Sequence, residues 1–252
     1  MFKVKGIVVG FLGNQEIYPC HMGHKVGDEI IFDGESYHGR LCPDVWPLIA
    51  PKVSALHKAG PRYVEWEAYY PFWYCPLSIK DLSQKKYDGL GFRNNLTTIV
   101  PPKYDMANLL PSDAFQWPPH QKRDILMGTS VICPDSRTSM LMELTAFDLG
   151  DKGFDIPFFR RQMTILNKLY TEGHLPIDKI ITTFSKKQIE NIYPALTPML
   201  INILVEELEL MGYLEIKGRQ VNITSKGYQK QADFITSLST EEKEALQIKW
   251  KK

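Results

Sequence analysis

Cys20, His24, Cys42 and Cys75 are the residues of this sequence whose types suit one metal site. Thiolate sulfur and imidazole nitrogen are the donors that zinc, iron and iron–sulfur clusters take. Cys20 and His24 are close enough in sequence to act as a pair. Cys42 and Cys75 each precede a proline, which removes a backbone donor beside the sulfur and stiffens the turn. Ferredoxin-type ligands often have this Cys-Pro form. Against a metal, the sequence has no Cys-x-x-Cys knuckle, and the 20–42–75 spacing fits no familiar zinc or cluster signature. The competing reading makes these cysteines small buried apolar side chains. A third makes Cys20 a nucleophile with His21 or His24 as its base, but no oxyanion-hole pattern or orienting third residue accompanies it. His38 and His57 have no partner in sequence and read as surface or core polar residues. Asp28, Glu29, Asp33 and Asp44 read as solvated turn residues.

The elements that must position these residues are legible at both ends of the chain. Residues 3–12 read as a strand. Gly23 and Gly27 mark turns, and Glu29 to Phe32 is a short buried strand closed by Asp33-Gly34. Trp46, Ile49, Val53 and Leu56 share one face of a helix over 45–56. Pro47 fits its first turn, while Pro51 is expected to split it in two. An aromatic run, Tyr63 to Tyr74, then leads to Cys75. It reads as core packing, with a planar ligand or a partner interface as alternatives. Residues 1–80 therefore form a small α+β module.

Residues 81–154 read as a loop-rich connecting segment punctuated by prolines. Gly89-Leu90-Gly91 before Arg93 is too short to mark a phosphate loop. Residues 97–100 suggest a strand, and Met140 to Phe147 a strand or a short helix. Val131-Ile132-Cys133-Pro134-Asp135 echoes Leu41-Cys42-Pro43-Asp44.

From Asp155 the periodicity sharpens. Phe159, Met163, Leu166 and Tyr170 make one helical stripe, with Pro157 near its start and Gly173 at its end. Ser185 caps a second helix, and Thr197-Pro198 opens a third that runs to Met211. Two strands joined at Lys217 to Gln220 follow, then a helix capped by Ser225. Glu207 to Leu214 and the Ile-Thr-Ser-Lys-Gly-Tyr string at 223–228 resemble the winged-helix family over residues 155–236. That resemblance implies three helices and a two-stranded wing, and leaves function open. Residues 237–252 read as a charged tail. The fold class is α+β: an N-terminal module, a connection and a C-terminal winged helix.

A winged helix that reads DNA presents basic and amide side chains from its third helix. Here that helix has no lysine or arginine and carries Glu206, Glu207 and Glu209. The basic residues weighed for DNA contact are Lys217 and Arg219 in the wing, Lys186, Lys187, Lys226 and Arg160-Arg161. The balance favours a protein partner or a homodimer over DNA. A net charge of +1 over 252 residues gives no global attraction to nucleic acid or an anionic membrane. No apolar run approaches the roughly 20 residues of a membrane span. The expected location is the cytoplasm, where cysteines serve as free thiols or ligands.

Residues 18–76 resemble a small family of cysteine-bearing modules of uncharacterised function, found mostly in anaerobic bacteria and archaea. The residues that carry this are Cys20, Gly-His-Lys-Val-Gly-Asp at 23–28, Gly39 to Pro43, the helix from Trp46 to Leu56, Gly60 and Cys75-Pro76. The resemblance implies a metal- or redox-linked protein and supplies no reaction. The expected role is an accessory protein or subunit of an anaerobic enzyme system, with zinc, iron or an iron–sulfur cluster as the implied cofactor. The alternatives are a transcription regulator with an N-terminal metal, thiol or ligand sensor, and an enzyme with its pocket around Cys20, His24 and Cys42.

Overall fold

A computed structural model describes residues 1–11, 15–16, 19–63, 129–135 and 140–246. Cys75, the aromatic run beyond Tyr63, the expected strand at 97–100 and the end of the tail lie outside these residues. The described chain is α+β, with a five-stranded and a three-stranded sheet.

Strand β1 (Phe2–Phe11) alternates, with Phe2, Val4 and Val8 turned inward. It pairs antiparallel with β2 (Glu29–Phe32), which pairs with β3 (Tyr37–His38). On its other side lies β5 (Met140–Leu149), flanked by β4 (Thr129–Ile132). The order is therefore β3-β2-β1-β5-β4. This corrects the loop-rich reading at 129–132, and at 140–149 the strand, not the short helix, is found. Met140, Met142 and Leu144 are buried while the residues between them are partly exposed, a period-two pattern that belongs to a strand.

Helix α1 (Trp46–Ala59) covers this sheet with Ile49, Val53 and Leu56, all buried. Burial of each such side chain stabilises by roughly 1.5–3 kcal/mol. That offsets the ladder bond lost at Pro51, which sits inside one continuous helix and does not divide it. Gly60 ends the helix at φ +62°, where a Cβ would lie 2.5 Å from the Phe2 ring.

The C-terminal part begins with α2 (Ile156–Glu172), which Gly173 closes. A short strand β6 (Leu175–Pro176) follows, then helices α3 (Lys186–Glu190) and α4 (Pro198–Leu210). Ser185 and Gln188 form a capping box on α3, and the Thr197 hydroxyl accepts the Leu200 N–H on α4. Strands β7 (Leu214–Lys217) and β8 (Gln220–Ile223) form a hairpin, and the sheet order is β6-β8-β7. Helix α5 (Ser225–Ser237) is capped by Thr224 rather than Ser225. Within the tail, α6 (Thr240–Ala245) is a short helix capped by Ser239.

The two parts share a boundary. Phe2 and Leu149 sit in the same apolar cluster as α2 and α4. Tyr213 donates to Asp148 at 2.5 Å, and the Lys230 ammonium holds the same carboxylate at 2.7 Å. Arg62 reaches Glu206 at 3.2 Å and Glu207 at 3.5 Å on α4.

Candidate metal centre

Three loops meet beside the five-stranded sheet. The first, at 19–28, follows β1 and carries Cys20, His21 and His24. The second, at 39–45, enters α1 and carries Cys42 and Asp44. The third, at 133–135, leaves β4 and carries Cys133 and Asp135. Backbone bonds shape the first two: Gly23 N–H donates to the Cys20 carbonyl at 2.8 Å, and Val45 and Trp46 N–H both donate to the Cys42 carbonyl. Cys42 is thus fixed at the entry of α1, its sulfur turned into the sheet core.

His21, Cys42 and Asp44 each place a donor atom within 4.8 Å of the others. Cys42 is buried, while His21 and Asp44 are exposed. Zinc bonds of about 2.0–2.3 Å set tetrahedral donors about 3.4–3.8 Å apart, so side-chain rotations of about 1 Å would close the trio on an ion. Sulfur, nitrogen and oxygen donors together fit a borderline ion of the zinc class, which this group could hold.

Of the residues singled out from sequence, the structure brings Cys42 into this group. The histidine in that group is His21, and His24 is not part of it. The His24 ring is buried, with Nδ1 3.6 Å from the Asp28 carboxylate and neither ring nitrogen in a hydrogen bond. Burial lowers the His24 pKa; Asp28 opposes this, and Arg40 adds to the lowering. Cys20 is half-buried and adjoins the trio through His21. Cys75 lies outside the described residues. Asp44, read as a solvated turn residue, is a member of the trio.

Cys133 and Asp135 also belong to this neighbourhood. Cys133 is buried in the same apolar cluster as Cys42. Burial pushes its thiol up to about 11; the Asp135 N–H, bonded to the sulfur, opposes this, and the nearby Cys42 and Cys20 thiols reinforce it. Asp135 Oδ2 lies 3.8 Å from His21 Nδ1. The echo between the two Cys-Pro-Asp strings was the sequence signal for this meeting.

A second polar cluster was not legible from sequence. Asp33 is buried, bonded to His38 and Lys152 at 2.8 Å each, and accepts the Glu35 and Ser36 N–H groups. Burial works to raise its pKa, but Lys152, the Ser36 N–H and His38 outweigh it and hold the carboxyl well below the usual range. His57 shares a hydrogen bond with the Phe2 carbonyl at 2.7 Å and faces buried Asp155 at 3.4 Å. Lys152 and Asp155 are too far from these histidines in sequence for pattern to link them. The cluster ties the β2–β3 turn to the start of α2.

No family model, curated protein or solved structure matches this chain. Among the described residues, no helix is long and apolar enough to cross a membrane.

Proposed function

We propose that this chain is a metal-binding accessory protein whose C-terminal winged helix contacts protein. It holds one ion of the zinc class, zinc or iron, at His21, Cys42 and Asp44. The convergence of those three donors from two separate loops within 4.8 Å carries the reading. Mixed donors suit a mononuclear ion better than an iron–sulfur cluster, which takes mainly cysteine thiolates. When bound, the ion supplies a structural tie between the loops and a Lewis-acid face toward solvent. The exposed His21 and Asp44 leave that face open.

The C-terminal order of three helices and a hairpin supports the winged-helix reading, in which α4 would take the position that reads DNA. Its acids are already engaged within the chain. Glu206 and Glu207 pair with Arg62, and Glu209 accepts the Ile216 N–H at 3.1 Å. Arg161 is buried, and Arg160 pairs with Glu242. The burial of Arg161 and the pairing of Arg160 remove two cations from phosphate contact, which favours protein docking over DNA reading. Met199 and Ile203, one turn apart and exposed, offer apolar surface for it. The setting is that of an accessory protein or subunit in an anaerobic enzyme system.

Zinc titration in competition with a chromophoric chelator tests the metal reading. The full chain is expected to take up one equivalent, with affinity reduced about tenfold or more in His21→Ala and Cys42→Ser. Equal binding by the parent and Cys42→Ser overturns it.

A further inference from the structure

Cys133 and Asp135 are not among the trio, yet Cys133 shares the buried cluster of Cys42 and Asp135 lies 3.8 Å from His21. We infer that Cys133 is the second thiolate ligand of this centre and that Asp135 orients His21 within it. The inference rests on the metal reading of His21, Cys42 and Asp44.

The tripeptide Cys-Pro-Asp occurs at 42–44 and again at 133–135. The fold brings an aspartate from each copy to one imidazole, that of His21. Asp44 of the first copy lies in the trio with His21. Asp135 of the second lies 3.8 Å from His21 Nδ1. Both cysteines enter one buried cluster, at 1% and 6% exposure. Two packing cysteines need no imidazole and no carboxylates converging on them, whereas a ligand pair does.

The two aspartates have different roles. Asp44 is exposed and within ligand distance of Cys42 and His21. The Asp135 side chain is 7% exposed, held at the wall of the site and turned to Nδ1 of the ring. At 3.8 Å the contact is an ion-pair distance, and a carboxylate drawn onto that nitrogen when the ion binds would fix the tautomer and ring plane and leave the other nitrogen for the ion. Asp135 is therefore a positioning residue. The Asp135 N–H on the Cys133 sulfur is a donor of the kind that steadies a thiolate once a metal has displaced the proton.

The completed set is Cys42, Cys133, His21 and Asp44: two sulfurs, one nitrogen and one oxygen, the count of a tetrahedral zinc site. Two thiolates select zinc over magnesium or manganese, which take oxygen donors. The set also joins the loop after β4 to the loops of the 19–45 region. The ion would thus clasp chain segments that lie on both sides of 64–128 in sequence.

X-ray absorption at the zinc edge of the zinc-loaded full chain counts the sulfurs. Two sulfur neighbours are expected, falling to one in Cys133→Ser. If Cys133→Ser does not fold, the double variant Cys20→Ser/Cys75→Ser decides. It retains only Cys42 and Cys133, and both sulfurs are expected to remain. One sulfur in the parent or in this double variant overturns the inference, as does an unchanged count in Cys133→Ser, while the trio's own zinc uptake stands. A parent chain that takes up no zinc instead removes the metal reading and this inference together. Asp135→Asn is expected to keep the sulfur count and weaken zinc about 10–100-fold, with Asp135→Glu recovering most of it. Unchanged affinity in Asp135→Asn removes its positioning role.

Discussion

His21 Nδ1 lies 3.8 Å from Asp135 Oδ2, across loops that follow β1 and β4. The pairing of β1 with β5, and of β5 with β4, brings these loops to one end of the sheet. The candidate centre is thus a product of sheet topology. Changes that move a loop relative to the sheet are expected to act on the metal before they act on the fold.

Gly39 tests that coupling. It adopts φ +106°, and a Cβ there would run into the Glu29 carbonyl. Gly39→Ala is expected to cost about 1–3 kcal/mol in urea unfolding. It is also expected to weaken zinc uptake, because the same loop carries Cys42 and Asp44. Strained unfolding with undiminished zinc affinity would separate the loop from the site.

Asp148 joins β5 to the C-terminal part through Tyr213 and Lys230. Burial opposes its ionisation, but the Lys230 and Tyr213 bonds outweigh burial and lower its pKa. A folded-state value below the unfolded one adds stability that is complete above the unfolded range. That stability is lost as pH falls through Asp148's own lower value. Asp148→Asn is expected to cost about 1–3 kcal/mol near neutral pH. The difference should shrink below about pH 4, where the unfolded carboxyl becomes protonated. Unfolding curves of parent and variant across pH check this, and a constant difference would contradict it.

Arg161 shows how a basic pair can mislead. As half of Arg160-Arg161 it counts among the basic residues a DNA reader would use, yet it is fully buried in α2. Its guanidinium donates to the carbonyls of Pro194, Gln188, Ile189 and Ile192. Burial lowers its pKa to about 10, which still leaves it charged. Arg161→Ala is expected to cost about 3–5 kcal/mol, since it strands several buried acceptors. Lysine should recover only part, because one ammonium cannot reproduce the fork. Chemical denaturation of both variants measures this.

The docking face has its own test. Ile203→Glu on α4 should leave stability within about 0.5 kcal/mol, as an exposed substitution. It should shift the self-association or partner binding seen by light scattering. Fluorescence anisotropy with duplex DNA is expected to show no salt-sensitive binding that depends on Lys217 and Arg219. Such binding would favour the transcription-regulator reading.

Local pattern carried much of the architecture. Alternation in β1, the Ile49–Val53–Leu56 face of α1, and the caps at Ser185 and Thr197 all lie within a few residues of the features they specify. Pro51 was misjudged because packing of that helical face outweighs one lost hydrogen bond. Residues 129–149 were hard to read because a central strand's partner, here β1, is remote in sequence. The site was half legible for the same reason. Residue types pointed to Cys42 and the 20–24 loop, but the choice of His21 over His24 depends on how that loop turns. His24 is instead buried behind that loop, its Nδ1 3.6 Å from the Asp28 carboxylate. Asp135 and Cys133 reach the site only through strand pairing, and their one sequence trace was the repeated Cys-Pro-Asp.

Metal content tests the central claim most directly. The full chain should be purified without oxygen or added metal, and analysed by elemental analysis beside its visible spectrum. About one zinc or iron per chain is predicted, lost in Cys42→Ser. A colourless, metal-free parent that takes up no zinc on titration would contradict the account.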